Sequence, residues 1–119
     1  MIFIVDDDDA TRDSLCLLLE AEGFAAQVFA AGRPFLDRVR PVAGDCVILD
    51  LNMPGMSGIE VLYELRRRGD GLPVIMVTAV SHPVVRQRAL AGGALAVIEK
   101  PATVDELLAL LRTVSIGAN

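Results

Sequence analysis

Short apolar runs alternate along this chain with segments in which apolar side chains recur every third or fourth position. Ile2 to Val5 ends in charge, Phe24 to Phe29 is broken by one polar residue, and Cys46 to Leu49 ends at Asp50. Leu72 to Val77 ends at Thr78, and Leu95 to Ile98 gives way to Glu99-Lys100-Pro101. Runs this short and this continuous predict strands covered on both faces, as in a parallel sheet. The segments between them predict helices. From Ala10 onward Leu15, Leu18, Leu19 and Glu22 fall on one helical stripe, with Asp9 as the expected cap and Gly23 as the stop. Arg33 to Val39 is a short helix with Pro34 in its first turn and Pro41 just beyond it. Ser57 and Glu60 have capping-box spacing at the head of a helix through Arg68, with Ile59, Val61, Leu62 and Leu65 on its apolar face. Ser81-His82-Pro83 starts a helix to about Ala91. Thr103 and Glu106 form a second capping box, opening a helix whose stripe is Val104, Leu107, Leu108, Leu111 and Val114. Leu110 lies off that stripe and is a candidate partner contact.

Five strands alternating with five helices imply an α/β fold, a parallel sheet with helices on both faces and right-handed crossovers. That topology gathers the chemistry. Asp6 and Asp7, Asp50, Thr78 and Lys100 stand at the ends of four different strands, so parallel strands bring them to one edge of the sheet. Asp50 meets an Asn-Met-Pro-Gly loop, which places a rigidly held carboxylate in the crevice where open α/β sheets bind ligands.

Composition narrows the picture. The 119 residues are 53% hydrophobic and 4% aromatic, enough for a single domain, 1–119, around one aliphatic core. A net charge of −5, with no basic stretch longer than Arg66-Arg67-Arg68, argues against direct nucleic-acid binding. Cys16 and Cys46 lack metal-ligand spacing and read as reduced core thiols, and His82 as a surface residue in a cap region. With no signal peptide and no apolar run of spanning length, the expectation is a cytoplasmic protein that does not engage membranes. The run Asp6 to Asp9 exceeds what one helix cap requires. Like charges so crowded call for a cation, which makes Asp6 and Asp7 candidate metal ligands. Lys100 is the one lysine among eleven cationic residues.

Val5-Asp6-Asp7, the stretch Asp50 to Gly58, Val77-Thr78-Ala79 and Lys100-Pro101, in this order, resemble the receiver domain of two-component response regulators over Ile2 to about Val114. Ile98-Glu99-Lys100-Pro101 is most similar to the receivers of FixJ-type transcription regulators. The resemblance implies a flavodoxin-like sheet of order 2-1-3-4-5. It implies that Asp50 accepts a phosphoryl group from a sensor histidine kinase. Mg²⁺, for which Mn²⁺ can substitute, would be held by Asp7, Asp50 and the backbone carbonyl of Asn52, with Asp6 acting directly or through water. Lys100 would pair with Asp50 at rest and with a phosphoryl oxygen afterwards, the Thr78 hydroxyl would bond another, and a cis peptide would precede Pro101. Such a domain is a phosphoacceptor rather than an enzyme, assisting its own phosphorylation and slow dephosphorylation. Phosphorylation would promote homodimer formation through the fourth helix, fifth strand and fifth helix, with Leu110 and Val84-Val85 as candidate contacts.

The sequence departs from the family at Val97, three before the lysine, where an aromatic ring usually accompanies the movement of Thr78. Val97 therefore predicts a modest switch. Two other functions compete. A phosphoaspartyl hydrolase would carry a second Asp two residues after Asp50, where this chain has Asn52. A degenerate receiver, binding partners independently of phosphorylation, would have lost an acid, the Thr or the Lys, all present here. The segment Ser115 to Asn119 reads either as a natural end or as the start of a linker.

Overall fold

Side chains alternate between the two faces of the sheet, and on its three central strands both faces are buried against helices. A computed structural model describes residues 1–80 and 82–114. The elements are β1 (Ile2–Val5), α1 (Asp9–Ala21), β2 (Ala26–Phe29), α2 (Gly32–Arg38), β3 (Cys46–Asp50), α3 (Gly58–Arg67), β4 (Val74–Thr78), α4 (Pro83–Ala91), β5 (Ala96–Glu99) and α5 (Val104–Leu111). All pairings are parallel, in the order β2-β1-β3-β4-β5. The α/β, flavodoxin-like architecture and its strand order are those the resemblance implied.

The core divides at the sheet. Ile2, Ile4, Cys46, Ile48, Ile75 and Val77 face α1 and α5, where they meet Leu15, Leu19, Leu107 and Leu111. Their alternates Phe3, Val5, Val47, Leu49, Val74 and Met76 face α2, α3 and α4. On that side Phe3, Phe29 and Phe35 pack as a triad, with Phe35 edge-on to both others at centroid distances of 5.6 Å. Two-sided burial is why these strands read as unbroken apolar runs.

Several boundaries differ from expectation. The cap of α1 is Asp8, whose carboxylate accepts from the Thr11 N–H at 2.9 Å, while Asp9 opens the helix and pairs with Arg12. The α1 stripe is narrower than predicted: Leu15 and Leu19 are buried, Leu18 is 45% exposed, and Glu22 is the C-cap. Leu18 sits one position off the line joining two residues four apart, so it falls at the rim. Phe24 precedes β2 and packs beside the α1 core, α2 begins at Gly32, and β5 starts at Ala96. β4 begins after Pro73, which has no N–H to offer a ladder but accepts one from Val47 at 3.0 Å. Both capping boxes, Ser57 with Glu60 and Thr103 with Glu106, are formed. The tail from Ser115, and Ser81 in the expected start of α4, lie outside the described residues.

Two details position the site. At Gly58 an added Cβ would press into the Asp50 carbonyl oxygen and come within 2.8 Å of Leu51 Cα, so α3 starts in contact with the end of β3. The far end of α4 is fastened by α3. Tyr63 donates to the Arg88 carbonyl at 3.1 Å, and the Arg66 guanidinium donates to Gly92 and Gly93 on one side and to Asp70 and Leu72 on the other.

Candidate functional site

Sheet geometry brings the strand ends together. Asp6 follows β1, Asp50 closes β3, Thr78 closes β4, and Lys100 follows β5. Asp50 and Thr78 are buried with Asp6, and Asp7 is exposed beside them. One carboxylate oxygen from each of Asp6, Asp7 and Asp50 lies within 4.8 Å of the other two. The Lys100 ammonium stands 3.0 Å from Asp6 Oδ2 and 3.4 Å from Asp50 Oδ2. At rest it is thus shared, and closer to Asp6 than to the Asp50 partner implied by the resemblance. The peptide bond before Pro101 is cis.

Two residues carry contacts that the sequence reading missed. The Arg12 guanidinium donates to the Asp6 carbonyl at 2.9 Å and pairs with Asp9, placing a second cation under the acidic run. Its position one turn beyond four aspartates was the available signal. Asn52 was singled out for its backbone carbonyl, but its side chain is engaged as well: the amide reaches Thr78 Oγ1 at 3.0 Å, and its backbone N–H donates to Asp50 Oδ1 at 3.2 Å. The Thr78 hydroxyl donates to the Val80 carbonyl at 2.8 Å and accepts from the Val80 N–H at 3.3 Å.

Electrostatics follow from burial and crowding. Burial, then the charge of Asp6, pushes the Asp50 carboxyl up to about 6, against the opposing pull of Lys100 and the Asn52 N–H. Burial works against the Lys100 ammonium, yet Asp6 and Asp50 outweigh it and hold its pKa above the ordinary value. The site therefore contains more negative charge than its one ammonium balances. Asp6 Oδ2 is buried, with the Lys100 ammonium 3.0 Å away as its charged neighbour. Three hard carboxylate donors clustered beside a single ammonium fit Mg²⁺.

The remaining candidates sort by exposure. Val97 lies opposite Met76 in the β4–β5 register, 5% exposed within the core facing α2 to α4, and its carbonyl accepts from Arg86 of α4 at 2.8 Å. Leu110 is half-buried against the core beneath α1 and α5, and Val85 is half-buried under α4. Of the expected partner contacts, Val84 stands most free, at 58% exposed. His82 caps α4, its Nδ1 accepting from the Val84 N–H at 3.2 Å. Burial pushes the Cys46 thiol up to about 12, so it is inert at neutral pH. Among the described residues no helix is long and apolar enough to cross a membrane.

Residues 2–112 match the family model described as the response regulator receiver domain. The transcriptional regulatory protein FixJ of Azorhizobium caulinodans is 37% identical over 116 residues, which cover 98% of this chain and 54% of that protein. The chain spans about half the length of the curated relatives it matches. Among solved structures, the response regulator StyR superposes with a TM-score of 0.88 at 36% identity, covering 96% of this chain and 58% of the other. FixJ-N gives 0.85 at 31% identity, with coverage of 93% and 89%.

Proposed function

Because this chain belongs to the response regulator receiver family, we propose that it works by accepting a phosphoryl group on Asp50 from the phosphohistidine of a sensor histidine kinase. The observation that carries this reading is the convergence of three carboxylates, one hydroxyl and one ammonium at the carboxyl edge of the sheet. In the transfer, an Asp50 carboxylate oxygen forms a bond to phosphorus as the phosphorus–nitrogen bond of the donor breaks, and the imidazole leaves with that electron pair. Such a reaction depends on positioning and charge neutralisation more than on acid–base work.

Residues of the chain supply much of this. The Asn52 N–H orients Asp50 through Oδ1, and Lys100, already 3.4 Å from Oδ2, neutralises charge arriving on the phosphoryl oxygens. Asp6, Asp7, Asp50 and the Asn52 carbonyl would hold Mg²⁺ or Mn²⁺, which when bound neutralises phosphoryl charge. Phosphorylation-independent binding is not favoured, since both acids, Thr78 and Lys100 are retained at the edge. The test is intact-mass measurement after incubation with a small acyl phosphate: one phosphoryl group should be added with Mg²⁺ present and none in excess chelator. Equal addition under both conditions would refute the metal-assisted reading.

Metal should also stabilise the fold, because it binds the crowded native carboxylates and not the unfolded chain. Mg²⁺ at about a hundredfold excess over its dissociation constant should add roughly 2–3 kcal/mol, seen as a rise in melting temperature. Asp7→Ala should lose most of that rise. A melt indifferent to millimolar Mg²⁺ would rule out the site.

The lifetime of the phosphoryl group should depend on Val80, which is 70% exposed two residues beyond Thr78. An apolar side chain there cannot orient an attacking water. Val80→Glu should shorten the phosphoryl half-life, by less than the roughly hundredfold that marks the lower end for a fully positioned general base, because the side chain stands on an exposed loop. Unchanged decay would show that Val80 does not border the approach of water. We further propose self-association through the face formed by α4, β5 and α5, where Val84 and Leu90 of α4 are exposed.

A further inference from the structure

Thr78 has one hydroxyl proton, and at rest it is committed to the Val80 carbonyl. It follows that the amide group of Asn52 facing Thr78 Oγ1 must be its NH₂, since the oxygen has no second proton to give. With the Val80 N–H as a further donor, both lone pairs of Oγ1 are engaged as well. Thr78 is therefore saturated by its own loop and by Asn52. It cannot donate to a phosphoryl oxygen on Asp50 without releasing Val80. Anchoring of the β4–α4 loop and recognition of the phosphoryl group compete for the same proton.

We propose that Asn52 is a positioning residue which, through its side-chain amide on Thr78 Oγ1, holds Thr78 in the loop-anchoring rotamer and so sets how rarely the unphosphorylated protein visits the phosphoryl-binding arrangement. This rests on the receiver reading above and adds a regulator to its site. The restraint acts across the mouth of the sheet, from the loop after β3 to the end of β4, where no strand pairing joins Asn52 to Thr78. Asn52 is exposed and outside the core, so its side chain can be replaced with little disturbance to packing. Removing one neutral hydrogen bond from the resting rotamer should raise the population of the alternative about fivefold.

The test uses backbone amide NMR of unphosphorylated protein, with beryllium fluoride and Mg²⁺ on the parent as the ruler for the phosphoryl-bound arrangement. Asn52→Ala, and Asn52→Leu as a variant of similar size, should move the Val80 and Val84 resonances part of the way along that ruler. In a Thr78→Val background the same substitutions should move them no further. The proposal is overturned if those resonances stay in place, or if they shift equally with Thr78→Val present. Failure of the parent to respond to beryllium fluoride would instead count against the receiver reading, while Thr78-dependence of the Asn52 shifts would still report on the restraint.

Discussion

Asp50→Asn should take up no phosphoryl group under conditions in which the parent gains one, and in metal-free buffer near pH 7 it should be the more stable of the two. The first effect removes the nucleophilic oxygen and is all or none by intact mass. An equal adduct on the variant would place the phosphoacceptor elsewhere. The second follows from the carboxyl at position 50, which burial and then Asp6 push up to about 6 in the folded protein. A carboxyl whose folded pKa exceeds its unfolded value near 3.8 binds its proton more tightly when folded. Its contribution to stability is thus fully present below the unfolded value and lost as pH rises through about 6. For the parent without metal this predicts a decline of about 1–3 kcal/mol between pH 4 and pH 7 from this group. The neutral amide lacks that slope. Chemical denaturation of both proteins across the range checks it, and parallel pH profiles would refute the assignment.

Gly58→Ala should cost about 2–3 kcal/mol, the upper part of the range for overpacking, because the intruding methyl meets backbone instead of a side chain that can turn aside. In a domain of this size that corresponds to a fall in melting temperature of roughly 10 °C. The same displacement pushes on the Asp50 carbonyl and Leu51, so phosphorylation of whatever remains folded should also slow. Gly71→Ala is the control: nothing lies within 4 Å of its added Cβ, and its melt should stay within about 2 °C of the parent. If Gly58→Ala melts as the control does, α3 does not abut β3 as described.

Strand identity was readable because two-sided burial leaves no polar alternation, as at Ile2 to Val5 and Val74 to Val77. The convergence of Asp6, Asp7, Asp50, Thr78 and Lys100 followed from parallel topology alone, which fixes an edge without needing a side-chain coordinate. Boundaries were less legible. Asp8 and Asp9 are chemically the same cap, and the backbone decides between them. Leu18 and Leu110 show the limit of a helical stripe, since one is exposed and the other half-buried for reasons of neighbouring elements. What stayed hidden were contacts between distant segments: Asn52 with Thr78, Arg86 with the Val97 carbonyl, and Gly58 with Asp50. Each joins residues by three-dimensional proximity, and neither period nor motif encodes that.

The fastening of α4 by Tyr63 and Arg66 makes that helix a lever with one fixed end. Its C-terminal side is pinned through the carbonyls of Arg88, Gly92 and Gly93, and a side chain at Gly92 would strike the Tyr63 ring. Its N-terminal side follows the loop that Thr78 anchors, with the Arg86 side chain tied to the Val97 carbonyl at 2.8 Å. Nine residues of helix rise about 13 Å, so a swing of about 10° at the pinned end carries Val84 roughly 2 Å and leaves Leu90 almost where it was. A partner that grips Leu90 would be blind to the state of the site, whereas one that grips Val84 would feel all of it.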